Sequence, residues 1–354
     1  MAAMSPTRPA MPRPAGADRS TIEDVAVAAG VSVATVSRAL RGLPNVAVST
    51  RARVQEAARG LNYRPDPNAS RLAAGRSRTV AVVVPFINSW YFANVVAGAE
   101  AVCADEGYDL LVVTSSSSAA DAAAVTGAFG LDRRVDGMIF VEVALEDAHI
   151  AEFARLGTGV VTIGQRTAPF PSISLDNVAV GRLAVGHLVE LGHRHIGVLA
   201  GQAEDPVHFD VPGDRIAGAR AALAAGGLDL HPTSVVAGRF TVEGGHDAAM
   251  VLLGRAERRP TALFALSDEM AFGALLAARH LGLDIPGDVS LVGVDDHEMA
   301  APMGLTTVRQ HVVDVGARAA AALLHQLSAH AAVVQHDVRP VELVRRGSTR
   351  RIDP

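Results

Sequence analysis

Apolar positions change their spacing along this chain. Between residues 21 and 61 they recur at helical intervals: Ile22, Val25, Ala26 and Ala29 share one face, Val36 and Leu40 a second, and Val54, Ala57 and Leu61 a third. Polar residues punctuate these runs. Thr21, with Asp24 three residues on, is placed to cap a first helix that Gly30 stops. Ser32 is placed to cap a second helix over 33–40, Gly42-Leu43-Pro44-Asn45 reads as a loop, and a third helix is predicted over 48–60. Pro65 and Pro67 then interrupt, and 68–74 has helical composition up to Gly75. From residue 79 the pattern becomes strand-like. Thr79-Val80-Ala81-Val82-Val83-Val84 is a buried-strand run closed by Pro85. Further strand-like runs at 108–113, 137–141, 160–163, 196–199, 262–265 and 289–294 alternate with helical stretches at 93–106, 178–191, 215–225, 244–253 and 270–281. Such alternation predicts parallel sheets with helices on both faces. The βα units are too many for one core, so two similar lobes are expected, each able to hold a ligand at the carboxyl ends of its strands.

Length and composition narrow this picture. The 354 residues suit two or three domains. No apolar run approaches the roughly 18 residues of a membrane helix. Residues 1–19, with four prolines and no apolar core, read as a disordered tail and not as a signal peptide. Cys103 stands alone, which excludes a disulfide framework and fits a reducing, cytoplasmic setting. The net charge of −5 hides an asymmetry: residues 1–78 hold 12 arginines against five acids, and the rest 20 against 32. Every basic residue of the Lys/Arg class is an arginine. A basic head on an acidic body suggests that the head meets a polyanion.

The segment 21–40 carries the most chemistry. A helix, a tight turn at Gly30-Val31-Ser32 and a second helix make a helix-turn-helix pattern, in which the second helix enters the DNA major groove. Thr35 and Ser37 suit phosphate contacts. Arg38 is long enough for a bidentate contact with guanine.

Residues 22–40 (Ile-Glu-Asp-Val-Ala-Val-Ala-Ala-Gly-Val-Ser-Val-Ala-Thr-Val-Ser-Arg-Ala-Leu) resemble the signature of the lactose-repressor/galactose-repressor (LacI/GalR) transcription factors. The likeness continues through Thr50–Ala58, Leu61-Asn62-Tyr63-Arg64-Pro65, Leu191-Gly192-His193-Arg194-His195-Ile196-Gly197, Ser267-Asp268-Glu269-Met270-Ala271, 285–296 and Leu305-Thr306-Thr307-Val308-Arg309-Gln310. The resemblance covers residues 20 to about 347. It implies an all-α helix-turn-helix head with a hinge helix, followed by an α/β body of two doubly wound parallel-sheet lobes like a periplasmic binding protein. On that pattern 1–19 is the tail, 20–66 the DNA-binding domain, 67–78 the hinge helix and linker, and 79–348 the effector-binding and dimerisation domain, with 349–354 a tail. Lobe 1 takes 79–176 and 309–335, and lobe 2 takes 177–308 and 336–348. The chain then crosses near Asp176-Asn177, Val308-Arg309 and Gln335-His336.

The resemblance also assigns residues. DNA contacts fall to Thr21, Ser32, Val33, Ala34, Thr35, Ser37, Arg38, Arg41, Asn62 and Tyr63, and in the hinge to Ala69, Leu72 and Ala73. Leu72 matches a leucine wedged into the minor groove, where apolar wedges kink the duplex. Effector contacts fall to Trp90, Tyr91, Phe92, Asp176, Arg215, Phe240, Ser267 and Asp295. Asp176 could equally cap the next helix, and the aromatic triplet could equally be core. His187, His193 and His195 have no metal-ligand spacing with the neighbouring acids, and Ser115–Ser118 reads as a solvated loop. Four departures stand out. Ala47-Val48-Ser49-Thr50 lacks the usual cap of the third helix, or shifts capping to Ser49; Arg41 stands where asparagine is common; 204–214 reads as an inserted loop; and 296–304 reads as shorter than usual.

The expectation is therefore a ligand-responsive repressor that binds double-stranded operator DNA as a homodimer and senses a small molecule, a sugar or sugar derivative. No cofactor, metal or membrane partner is expected. A sugar-binding transport protein is the alternative, against which the basic head stands. An enzyme is not expected, because there is no Gly-x-x-x-x-Gly-Lys loop, Gly-x-Ser-x-Gly elbow or metal-ligand spacing.

Overall fold

The computed structural model describes residues 20–63, 77–114, 131, 134–143, 145, 147–164, 166–201, 211–329 and 335–352. The segment 68–74 with Ala69, Leu72 and Ala73, the serine run 115–118 and most of the loop 204–214 lie outside them. The chain divides into two units, one ending at Arg76 and one beginning at Ser77.

The first unit is three helices, α1 (Ile22–Ala29), α2 (Val33–Leu40) and α3 (Val48–Gly60), at the bounds the periodicity predicts. Thr21 and Asp24 form a reciprocal capping box, and Gly30 closes α1 at φ 62°. Ser32 Oγ accepts from the Thr35 N–H and so caps α2. Alanine at position 47 leaves α3 without a side-chain cap, and Ser49 does not take over. Val25, Ala26, Ala29, Val36, Ala39, Val54 and Ala58 form the core, with Leu40, Ala57 and Leu61 packed at its edge.

The second unit holds two six-stranded sheets of equivalent order. The first runs β11-β5-β4-β3-β1-β2, with β1 (Thr79–Val84), β2 (Asp109–Thr114), β3 (Gly137–Val141), β4 (Gly159–Ile163), β5 (Ser172–Leu175) and β11 (His336–Arg339). The other runs β12-β10-β9-β8-β6-β7, with β6 (Ile196–Ala200), β7 (Val235–Ala237), β8 (Ala262–Ala265), β9 (Ser290–Asp295), β10 (Thr306–Arg309) and β12 (Glu342–Val344). Strand pairing is parallel except between β10 and β12. In each lobe the chain reverses its winding direction beside the first strand, which is where doubly wound sheets open a crevice. Helices α4 (Trp90–Asp105), α5 (Asp147–Leu156) and α10 (Val312–Ala329) belong to lobe 1. Helices α6 (Asn177–Glu190), α7 (Val211–Ala225), α8 (Val242–Leu253) and α9 (Asp268–His280) belong to lobe 2.

Three helix pairs share one packing device. A Cβ on Gly98 of α4 would lie 2.0 Å from the Val313 carbonyl, and one on Gly316 of α10 would lie 2.0 Å from the Val95 carbonyl. Gly181 and Gly218 do the same between α6 and α7, against the carbonyls of Arg215 and Val178. Gly245 and Gly273 repeat it between α8 and α9. Each pair thus packs backbone to backbone at a reciprocal glycine crossing.

Two boundaries differ from expectation. The third crossing lies at Pro340, not at Gln335-His336, because His336–Arg339 pairs with β5 in lobe 1 and only Glu342–Val344 returns to β10. Residues 349–352 are held to the body. The Arg350 N–H donates to Ser290 Oγ at 3.0 Å and the Ile352 N–H to the Leu191 carbonyl at 2.9 Å, so both lie on lobe 2.

Candidate functional site

In the first unit, α2 presents its N-terminal half to solvent. Val33, Ala34 and Arg38 are exposed, and Thr35 and Ser37 are half-buried. Val36 and Ala39 anchor the opposite face in the core. The hydroxyls of Ser32 and Thr35 lie 2.9 Å apart, so the cap oxygen is committed inside the head. Thr21 is likewise committed to Asp24. The Arg41 Nε–H donates to the Ser37 carbonyl at 3.3 Å, which lays that guanidinium along the end of α2. Asn62 holds φ 49°, a left-handed turn, and Tyr63 tucks its ring against the head core. The described head thus offers Val33, Ala34 and Arg38 on one exposed stretch of helix.

In the second unit, the carboxyl ends of both sheets meet around a polar cluster. Arg215 projects from α7 and is 5% exposed. Its Nε–H donates to Asn177 Oδ1 at 3.0 Å, and one Nη–H to the Leu266 carbonyl at the end of β8. The α6/α7 glycine crossing lets these two helices approach closely enough for that bond. Asp295 ends β9 at φ 126°, followed by Asp296 at φ 59°. The carboxylate of Asp295 accepts from Gln310 Nε2 and from the Asp268 N–H. From lobe 1, Tyr91 approaches Glu142 at 3.5 Å. Charges on Glu142, Arg215 and Asp295 all act on the Tyr91 hydroxyl, so residues of both lobes converge.

Burial sets the electrostatics. It pushes the Asp295 carboxyl up to about 7 despite the opposing charge of Arg215. Asp268 is raised well above the carboxylate range, first by burial and then by Asp295, although the Thr307 hydroxyl donates to it at 2.7 Å. Burial and then Glu142 raise the Tyr91 hydroxyl. Burial lowers Arg215, with Asp295 opposing. Asp296 behaves differently: burial works against its charge, but hydrogen bonds from Arg346 and Arg309 outweigh that and hold it below the usual range. Arg309 Nε reaches Asp296 at 2.6 Å, so this carboxylate ties the end of β9 to the crossing segments.

Not every expected residue joins the cluster. Phe92 turns into the lobe 1 core beside Phe86 and Tyr91, because the third position of α4 faces the sheet. Asp176 is exposed and its Oδ1 accepts from the Ala179 N–H at 2.8 Å, which makes it the cap of α6. Ser267 is buried, and its hydroxyl caps α9 through the Met270 N–H at 3.3 Å. Phe240, at φ 54°, packs over Gly201 and Pro212. Trp90 engages a lobe 2 loop, described below. Four members of the cluster had no assignment from sequence: Glu142, Asn177, Asp268 and Gln310. Glu142 directly follows a strand end, where a ligand site is expected in this topology. His193 donates or accepts among Thr261, Ser290 and the Arg350 carbonyl, which is a structural role. Among the described residues no His/Cys/Asp/Glu group is arranged for a metal ion.

A helix-turn-helix head joined to a two-lobed α/β body with a polar cleft defines a ligand-governed, DNA-binding transcriptional regulator. Residues 21–66 match the model of bacterial regulatory proteins of the lacI family, and residues 185–349 that of the periplasmic binding protein-like domain. The HTH-type transcriptional repressor CytR of Escherichia coli (strain K12) is 34% identical over 338 residues, covering 94% of this chain and 96% of that protein. A crystal structure of the lac repressor dimer bound to operator and the anti-inducer ONPF superposes with a TM-score of 0.81, at 29% identity, over 94% of this chain and 99% of that one. The complex of the transcriptional regulator CelR with cellobiose matches at a TM-score of 0.66 and 31% identity, over 93% and 100%. The chain belongs to the lacI family. Its relatives are transcriptional regulators and not enzymes, and among the described residues no helix is long and apolar enough to cross a membrane.

Proposed function

We propose that this chain is an operator-binding repressor, active as a homodimer, whose cleft senses a neutral polyol of the sugar class. The observation that carries the ligand class is the convergence of Arg215, Asp295 and Asn177, each buried, with the half-buried Tyr91 of lobe 1. A sugar hydroxyl donates and accepts at once, so a guanidinium beside a carboxylate serves two adjacent hydroxyls. Phe240 supplies the aromatic face for the sugar ring, and cellobiose in the CelR complex is a sugar ligand of a relative. Arg38, Val33 and Ala34 are the base-reading group, and two heads read two half-sites as the symmetry of a dimer requires. Leu72, with Ala69 and Ala73, is the wedge that kinks the central step.

A thermal-shift panel of sugars, sugar phosphates and nucleosides identifies the effector. Operator binding is then followed across a titration of the compound found. Arg215→Ala and Asp295→Ala should move the midpoint to higher concentration by about tenfold or more, since each strands buried polar partners at ~1–3 kcal/mol. Wild-type midpoints in both variants would remove the cluster from the effector site.

A further inference from the structure

Trp90 is the single tryptophan of the chain and stands at the first position of α4 in lobe 1. Its indole N–H donates to the carboxylate of Glu298, in the lobe 2 loop after β9. Its ring stacks on His297 of the same loop, at 4.8 Å between centroids and 30° between planes. His297 is itself fixed. Phe272 of α9 meets it edge-on at 5.1 Å, its backbone N–H donates to Asp268 at 2.9 Å, and its Nδ1 accepts from the Met299 N–H at 3.0 Å.

A second contact lies beside the first. The N-cap of α4, Ser89, makes no capping bond to its own helix. Its hydroxyl and the Trp90 backbone N–H instead face Glu269, in the first turn of α9 in lobe 2. A helix start leaves N–H groups unsatisfied and favours negative charge. Here that charge is supplied by Glu269 of the opposite lobe, which faces the start of α4 across the cleft.

We propose that Trp90 and the start of α4 form an interlobe latch, closed on Glu298, His297 and Glu269, which holds the cleft shut without help from an effector. Every contact in it is made by protein groups on protein groups. One is a charge-assisted hydrogen bond, one a stacked ring pair and one an acidic side chain set against a helix start. The aromatic ring expected to stack on ligand is thereby committed to the facing lobe. An effector must enter through the open form, and the latch fixes how rarely that form occurs.

The test needs neither effector nor DNA, so its outcome is separate from that of the proposed function. Acrylamide quenching of tryptophan fluorescence in the full chain reads Trp90 alone. The wild-type protein should be quenched much less readily than the same chain in urea. Glu298→Ala and Glu269→Ala should each raise the quenching constant roughly twofold or more as the latch opens. Small-angle scattering should show a larger radius of gyration in the same variants. Glu298 has a side chain 70% exposed, so its replacement leaves the core intact, as far-UV circular dichroism will verify. If Glu269→Ala fails that check, Glu298→Ala alone decides. Quenching and radius unchanged in Glu298→Ala, or wild-type quenching equal to that in urea, would overturn the latch.

Discussion

Replacing Gly181 by alanine should do opposite harm and good to the same helix, depending on where the methyl lands. A Cβ at Gly181 would sit 1.9 Å from the Arg215 carbonyl oxygen, which is backbone and cannot rotate away. Restoring an ordinary contact requires α6 and α7 to separate by about 1.5–2.1 Å, an overpacking that costs ~1–3 kcal/mol. The gain from removing a glycine from a helix interior offsets only about 0.5–1 kcal/mol of it. The net destabilisation, up to about 2.5 kcal/mol, should lower the melting temperature by roughly 2–4 °C per kcal/mol in a body of this size. Gly186 is the internal control. It lies in the same helix, and a Cβ there would meet nothing within 4 Å. Gly186→Ala should therefore stabilise by ~0.5–1 kcal/mol. Because Arg215 rides on the displaced helix, Gly181→Ala should also break the Arg215–Asn177 bond and weaken effector binding, which Gly186→Ala should not. Differential scanning calorimetry of both variants decides the matter. Equal rises in melting temperature would show that the helices separate freely and that the close crossing imposes nothing.

Arg38→Ala should lose preference for operator over random DNA by ~1–3 kcal/mol per half-site while retaining most non-specific affinity, measured by competition in a fluorescence-anisotropy assay. Operator affinity of the wild type should fall linearly in log–log form with salt, and a flat slope would deny phosphate neutralisation by the arginine-rich head. The carboxyl of Asp295 binds its proton up to about pH 7 when folded but ionises near pH 4 when unfolded, so wild-type stability should decline between those values. The melting temperature of Asp295→Asn minus that of wild type should thus climb from about pH 4 to 7 and level off above; a difference independent of pH would place the group in water.

The head was legible because its signals are local. Thr21, Gly30 and Ser32 fix helix ends within three or four residues of themselves, and α1 to α3 fall at the expected bounds. The central strands were legible because they are continuously buried, as in Thr79–Val84. What escaped is decided by distant partners. His336–Arg339 is polar and four residues long, and only its ladder with β5 makes it a strand of lobe 1. Val312–Ala329 is rich in alanine and fits core or surface until Gly316 meets Val95. Within the cleft, Arg215 and Asp295 came from the motif resemblance. Asn177 and Glu142 gain their roles from Arg215 and Tyr91, tens of residues away. Trp90 and Phe92, two residues apart, have opposite fates, because the first and third positions of α4 face the other lobe and the lobe 1 core.

The placement of β11 and β12 bears on how the protein is made. Lobe 1 lacks its outer strand until Arg339 has been synthesised, and lobe 2 lacks its own until Val344 has. Ser348 and Arg350 then close over β9. Neither sheet can finish while the ribosome is still translating the lobes. The head, whose described core partners lie within residues 22–63, can fold as soon as it emerges. Nascent chains thus carry a finished helix-turn-helix ahead of two unfinished sheets with open edges. The interval before residues 336–350 emerge is when this protein is most exposed to misassembly.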